Sequence, residues 1–558
     1  MPDLRARSVA HPTQTGNNLW VRLELAGFLV MHDRHARQEY HDGSGHAGRP
    51  EVLFPTFTFA VFFAVVLPLS WALRGRPVAW KVLILAASAV FYGYWDWRFL
   101  GLLATLIVVN EIVAVAVHRS RDQVQRRRLT AAAVVFDLAL LGVFKYYGFF
   151  VASLEDSFGW EGPALDIVLP VGISFFTFQA ISYVVDVKRG EATPAPLLDF
   201  AVYLSFFPQL VAGPIVRATE FLPELRAGRR PDEVEMGRAV LLIGRGLFKK
   251  VVVADFLGRA IVDDAFGTPG EYGALDVLFG VYGYAIQIYA DFSGYTDMAI
   301  GLALLLGFRF PQNFDRPYAA VSVQDFWRRW HMTLSRWLRD YLYVPLGGNR
   351  AGRSATYRNL LLTMALGGLW HGAAWTFVVW GLYQGLGLAA ERALSEARGE
   401  PDVEFDAADV RLREIARLHS GAEVDAWRED PTSPVPFSPL AVRRLWLGRL
   451  VTFHFVCAGW VVFYAGTIAG GGLDAAIDVF TALGQGWGQT PELLNPLVLA
   501  VILTAIAAQY VPPLLARQLS AMFSTLRPSL VAIGFAVWIM IVTALGPEGV
   551  SEFIYFQF

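Results

Sequence analysis

Apolar stretches of about 20 residues recur from Leu53 to Leu545, and that is the length an α-helix needs to cross the hydrocarbon core of a bilayer. With no water at membrane depth, backbone polar groups must be satisfied within the segment, which restricts such a chain to helices or a closed barrel. Runs of this length predict helices. Only 17% of the residues are charged, against about a quarter in soluble domains. A soluble chain of 558 residues would divide into three or four units at ~150 residues each. Here the expectation is one all-α, polytopic integral membrane protein with about eleven to thirteen transmembrane or re-entrant helices.

The remaining composition narrows the function. Lys+Arg number 47 and Asp+Glu 49, a net charge of −2, so no basic excess points to nucleic acid and no P-loop or zinc-finger spacing occurs. Cys457 is the one cysteine and lies in an apolar run, so it forms no internal disulfide and is a poor candidate for thiol catalysis. Residues 1–50 are polar and hold five of the ten histidines, His11, His32, His35, His41 and His46. They lack the apolar core and cleavage site of a secretory signal. They read as a disordered extension or a misassigned start rather than a metal site.

From residue 51 the chain reads as a membrane core to 390, a charged, Pro-rich loop insertion over 391–444 with an amphipathic helix around Val410–Leu418, and C-terminal transmembrane helices with an aromatic tail over 445–558. Basic clusters set the orientation of the first five helices by the positive-inside rule. Arg74, Arg76 and Lys81 follow the first, Arg119, Arg121 and Arg126 to Arg128 the third, and Lys188 and Arg189 the fifth. All three are expected on the cytoplasmic side, with Asp96 and the Glu155–Asp166 loop opposite. Beyond them, Pro208 and Pro214 break the segment Phe200–Arg217, which predicts a kinked or re-entrant piece as readily as a span.

Polar side chains inside apolar helices are costly and therefore informative. His371 lies in Leu-Trp-His-Gly with Gly367, Gly368 and Gly372 nearby, where backbones can approach closely. An imidazole in such surroundings stays neutral and can act as a general base; a helix-packing histidine bonded to a neighbour fits the same pattern. His331 falls in Gln324–Tyr343, where Trp327, His331, Leu334, Ser335 and Leu338 share one face at helical spacing and the arginines lie off its centre. This predicts a single interfacial helix, with His331 turned toward protein or incidental to a surface anchor. Asp291, Ser293 and Asp297 fall within another apolar helix. Buried carboxylates need partners, and Arg316, Arg328 or Arg329 are expected to supply them. Ser293 lacks a nucleophile-elbow context. Neither His331 nor His371 has a second ligand at metal spacing, so no metal is expected.

Together Pro170-Val-Gly-Ile-Ser-Phe-Phe-Thr-Phe-Gln179, Phe207-Pro-Gln-Leu-Val-Ala-Gly-Pro-Ile215, the Asp291–Asp297 cluster, Phe326-Trp-Arg-Arg-Trp-His331, Tyr341-Leu-Tyr-Val-Pro-Leu-Gly-Gly-Asn349 and Gly368-Leu-Trp-His-Gly372 resemble the membrane-bound O-acyltransferase family. The resemblance is to its bacterial branch of alginate O-acetylation and teichoic acid D-alanyl transfer proteins. It implies helices enclosing a tunnel, through which an acyl group passes from a cytoplasmic thioester, acetyl-CoA above all, to an acceptor outside. It further implies the plasma membrane as location, a polysaccharide acceptor, an extracytoplasmic acyltransferase partner and no bound cofactor. His371 matches the family's histidine and His331 its second polar position. The first is then the leading general base and the second positions donor or acceptor, or the reverse. Asn313, Asp315, Trp327, Arg328 and Trp330 would line or support the tunnel, with Asp291, Ser293 and Asp297 also among its substrate-binding or lining residues.

The chain ends Ser551-Glu-Phe-Ile-Tyr-Phe-Gln-Phe558, and Phe553, Tyr555 and Phe558 resemble a Phe-x-Tyr-x-x-Phe tail of these systems. A phenol is a weak nucleophile that a neighbouring histidine can activate, so Tyr555 could carry the acyl group as an ester; an aromatic interface anchor is the plain alternative. Two other functions compete with polysaccharide acylation. Many spans and broken helices also suit a transporter or polysaccharide channel, and acylation of a lipid or small metabolite would use the same chemistry.

Overall fold

The computed structural model describes residues 54–398 except 161, 164, 166 and 229–232, residues 439–545 except 469–471, 512–517, 519, 520 and 524, and Ile554. The polar extension, the Pro-rich run with Val410–Leu418, and Phe553, Tyr555 and Phe558 lie outside the described residues. Among those described there are helices and turns but no strand.

Local chemistry sets the helix ends. Helix α1 (Phe57–Leu73) starts at Thr56, whose hydroxyl accepts the Phe59 N–H. Pro77 opens α2 (Pro77–Asp96) at a position where its missing N–H costs nothing. After α3 (Phe99–Arg119), Asp122 caps α4 (Gln123–Leu141) by accepting from Val124 and Gln125. A π-wound turn, Gly142–Tyr146, joins α4 to α5 (Tyr147–Phe158). Helix α6 (Ile173–Arg189) is buried over most of its length and stops at Gly190 in the left-handed region. Among the described residues, Pro77–Asp96, Phe99–Arg119, Gln123–Phe158 and Arg443–Ala465 are long and apolar enough to cross a membrane.

Two of the three basic clusters meet in the structure. The Arg126 guanidinium donates to the carbonyls of Val187 and Lys188, tying the start of α4 to the end of α6. Arg189 in turn donates to the Asp340 carbonyl. Inside, α3 is joined to α4 by Asn110 to Asp137 at 2.8 Å and to α6 by Tyr183 to Glu111 at 2.7 Å.

The Pro-broken segment is not a span. Helix α7 (Leu197–Ser205) ends at Phe206, and the chain turns through Phe207–Leu210 and runs irregularly to α8 (Ala218–Ala227). Nine residues reach about 14 Å, half of what a crossing needs. The irregular backbone is buried, and protein groups satisfy it: Tyr203 donates to the Val216 carbonyl, Gln209 to that of Tyr203, and Phe207 N–H to Ser88.

Helix α9 (Met236–Leu247) passes into a π-wound stretch, Phe248–Ala254, and lies along α10 (Ala274–Leu305), a 32-residue helix buried on nearly every side. Their backbones touch where Gly246 meets Gly294; a Cβ on Gly294 would lie 2.8 Å from the Gly246 carbonyl. The segment expected as one interfacial helix is two short ones, α11 (Val323–Arg329) and α12 (Met332–Leu338). Trp330 is extended and His331 left-handed, with φ 41°.

The apolar stretch 356–395 is a helical hairpin of α13 (Arg353–His371) and α14 (Trp375–Ala397). Any Cβ on Gly368 would collide with the Phe377 carbonyl, and any on Gly381 with that of Met364. Helix α14 continues through Glu391 into the charged stretch, and α15 (Pro439–Ala465) begins within it. Helices α16 (Leu473–Leu483), α17 (Pro496–Ala508) and α18 (Pro528–Leu545) follow.

The glycines therefore make opposite predictions. Gly381→Val forces the hairpin apart and is expected to cost ~2 kcal/mol or more, seen as loss of the monodisperse peak and a lower Tm in detergent. Gly101→Ala in α3, where an added Cβ meets nothing within 4 Å, is expected to leave Tm unchanged or raise it.

Candidate active site

The break at residues 330–331 gives the site its shape. A non-glycine residue in the left-handed region costs about 1–2 kcal/mol, and such strain persists only where surroundings enforce it. Asn313 does so here. Its carbonyl accepts the Met332 N–H at 2.9 Å, and its Oδ1 accepts the Thr333 N–H at 3.1 Å and the Thr333 hydroxyl at 2.8 Å. The Thr333 hydroxyl also accepts the Ile215 N–H at 3.0 Å, linking this turn to the irregular segment before α8.

His331 Nδ1 lies 3.2 Å from the same Asn313 Oδ1. Because a backbone N–H can only donate, the atom facing Thr333 is the amide oxygen, and the network assigns the proton to His331 Nδ1. Nε2 then holds the lone pair, and it is buried with no hydrogen-bond partner.

His371 occupies the last residue of α13, and Trp370 stands between the two imidazoles, with ring centroids 6.0 Å from His331 and 5.0 Å from His371. Trp380 and Phe463 pack edge-on against His371 at 5.2 and 5.4 Å. Phe292 meets His331 edge-on at 4.7 Å. Trp460 closes the wall, 4.8 Å from Trp330 and 5.7 Å from Trp380. The indole N–H groups of Trp330, Trp370 and Trp380 are buried without partners, which is unusual for buried donors and leaves them able to receive an oxygen.

The end of α13 is held by the π-wound turn between α4 and α5. Lys145, in the π-wound turn, donates to the carbonyls of Trp370 at 2.7 Å and His371 at 2.9 Å, and Tyr146 donates to that of Leu369 at 2.9 Å. These are carbonyls that a helix C-terminus leaves unsatisfied, and a cation there also complements the helix dipole.

The other expected residues divide. Trp330 is fully buried in the wall, and Trp327 donates to Gln384 at 3.3 Å, 5.8 Å from Trp380. Asn313 supports His331 directly. Arg328 sits on the last turn of α11. Asp315 is not in the chamber: its side chain is 43% exposed and pairs with Arg316 at 3.0 Å. The partners expected for the α10 carboxylates require correction. Asp297 pairs with Arg245 at 2.6 Å and Lys249 at 2.8 Å, Ser293 accepts from Lys249 at 3.1 Å, and Asp291 pairs with Lys250 at 2.7 Å. These cations lie on α9 and its π-wound continuation because that stretch runs alongside α10. Arg316 and Arg329 pair instead with their near neighbours Asp315 and Asp325.

Lys145 escaped the sequence reading, although an ammonium inside an apolar run is the signal that singled out His371. Trp380, Trp460 and Phe463 carried no such signal; apolar residues in apolar helices look alike until they are packed.

The fold and site define a polytopic helical membrane protein with an internal, aromatic-walled pair of histidines. The family model "MBOAT, membrane-bound O-acyltransferase family" matches residues 89–405, more than half of the chain, and the chain belongs to that family; by class it is an O-acyltransferase. It is 46% identical over 348 residues to the probable alginate O-acetylase AlgI of Azotobacter vinelandii, covering 61% of this chain and 69% of that protein. It is 37% identical over 349 residues to the peptidoglycan O-acetyltransferase of Helicobacter pylori, covering 58% and 66%. To the teichoic acid D-alanyltransferase of Streptococcus thermophilus it is 30% identical over 236 residues, covering 40% and 57%. The chain thus spans between 57% and 69% of the length of these three relatives.

Lys145→Met keeps the chain length but strips two buried carbonyls of their donor. We expect a loss of ~1–3 kcal/mol, read as a lower Tm, and partial recovery with Lys145→Arg.

Proposed function

We propose that this protein transfers an acyl group, acetyl first among candidates, from a cytoplasmic thioester to a hydroxyl destined for an envelope or exported polysaccharide, within the plasma membrane. The observation that carries the reading is the pair of buried imidazoles flanking Trp370, one of them with its proton fixed on Nδ1 and its Nε2 lone pair buried without a hydrogen-bond partner. A neutral imidazole there can take the proton of an attacking hydroxyl while the oxygen adds to the thioester carbonyl. The thiolate then leaves and takes a proton, so the step balances as ester formed and thiol released. The partnerless indole N–H groups are suited to hold the carbonyl oxygen as it gains charge, since donors fixed in a dry site need no reorganisation.

His331 and His371 share the acid–base work in this proposal. The resemblance favours His371 as the base, while the geometry supplies His331 with a defined basic nitrogen. Asn313 acts through His331 by holding its tautomer and its strained backbone. Acetyl-CoA or another acyl thioester is the donor, and an extracytoplasmic acyltransferase receives the group. Tyr555 is proposed as the first acceptor, its phenol oxygen forming an aryl ester that remains reactive toward the next hydroxyl. The alginate and peptidoglycan substrates in the names of the relatives support a polysaccharide end point.

His331→Ala and His371→Ala are expected to abolish envelope ester formation while the protein still accumulates in the membrane; normal ester content in both variants overturns the roles. Intact mass and peptide mapping after incubation with acetyl-CoA should show a 42-Da adduct, the mass of an acetyl group less the displaced hydrogen, on the C-terminal peptide of the wild type only. Substrate flux without covalent transfer, unaffected by either substitution, would favour a transporter instead.

A further inference from the structure

A second buried polar cluster lies one residue from the histidine chamber and takes no part in the chemistry above. Lys250 Nζ contacts Asp291 Oδ1 at 2.7 Å and Asp255 Oδ1 at 2.9 Å, with side-chain exposures of 2%, 1% and 2%. Two carboxylates face one ammonium where water does not reach. A buried carboxylate is held by the donors that reach its oxygens. One donor to Asp291 comes from the far end of the chain: Asp291 Oδ2 accepts the backbone N–H of Ile554 at 2.9 Å, across 263 positions of sequence. The Ile554 residue is itself buried, at 7% exposure.

The neighbouring carboxylate shows what a purely structural pair looks like. Asp297 gives both its oxygens to Arg245 and Lys249 on the adjacent helix and has the single task of locking α9 to α10. Asp291 divides its oxygens, one to Lys250 within the core and one to a main-chain N–H of a remote segment. A main-chain contact fixes where a segment lies irrespective of its side chains, in the manner of peptide-binding sites. The next residue of α10, Phe292, packs on His331, and the residue after Ile554 in the chain is Tyr555.

We propose that the Lys250–Asp255–Asp291 cluster is a docking site for the protein's own C-terminal segment, with Asp291 as a positioning residue that holds the backbone of Ile554 beside the histidine chamber. One hydrogen bond and one apolar side chain make a hold that can also release, as a segment that must load and unload requires. The purpose of the dock rests on the relay reading of Tyr555, whereas the dock itself does not.

The test is hydrogen exchange of the C-terminal peptides in the full-length protein in nanodiscs, read alongside acyl adduct formation with acetyl-CoA. Asp291→Ala leaves Lys250 and Asp255 as a balanced pair, so the variant is expected to keep its Tm within a few degrees. Ile554→Pro removes the donor and leaves the cluster untouched. Both are expected to raise exchange of the amides after residue 554 at least tenfold while α10 stays protected, and to reduce the adduct at least tenfold. Unchanged tail exchange in either variant overturns the dock, and adduct formation at the wild-type rate in both overturns its positioning role. Faster tail exchange in both variants, with no adduct even in the wild type, upholds the dock and removes the relay.

Discussion

The antiparallel ladder between α9 with its π-wound continuation and α10 is the constraint on which the rest of the structure depends. Arg245 and Lys249 meet Asp297, Lys249 meets Ser293, and Lys250 meets Asp291, so that residue numbers rise on one strand of the ladder as they fall on the other. Losing Asp297 would leave Lys249 without its carboxylate, which is far costlier than the pair itself is stabilising. The ladder therefore specifies register more than it adds stability. Gly246 and Gly294 let the two backbones close to the distance at which short ion pairs form.

Register in α10 propagates to the chemistry. Phe292, between the Asp291 and Ser293 rungs, faces His331, and Phe314 packs on both Phe292 and Trp330. A slip of one residue would rotate this face by about 100° and replace the wall of the chamber. On the opposite side the α13–α14 hairpin is held at glycine contact, and Lys145 fixes the carbonyls that end α13. Each histidine is thus placed by a backbone device, a left-handed turn pinned by Asn313 for His331 and a capped helix end for His371. Neither relies on side-chain packing alone.

Much of this was legible in the residues and some was not. The cost of polar groups in apolar helices pointed to His371, Asp291 and Asp297, the shared face of Gln324–Tyr343 to His331, and Pro208 with Pro214 marked the broken segment. The basic loops after α3 and α6 were assigned to one side, and Arg126 bridges them. The apolar face drawn through Trp327, His331 and Leu338 implied one continuous helix, and the chain breaks there instead. Periodicity reports which residues want burial. It cannot report that Asn313, 18 residues away, offers Met332 and Thr333 bonds that outweigh helix continuity.

By itself the sequence determined that this is a helical membrane protein, that imidazoles rather than thiols are its candidate catalytic groups, and which family its motifs resemble. All of these follow from residue type and local spacing, because the bilayer makes each polar residue conspicuous. The tertiary structure decided which cation meets which carboxylate, which ring nitrogen of His331 keeps its lone pair, which indoles wall the chamber, and that Asp291 meets the backbone near the C-terminus. Those are contacts between segments tens to hundreds of residues apart. Several partners of equal charge were available to each carboxylate, and only the packing of α9 against α10 selected among them.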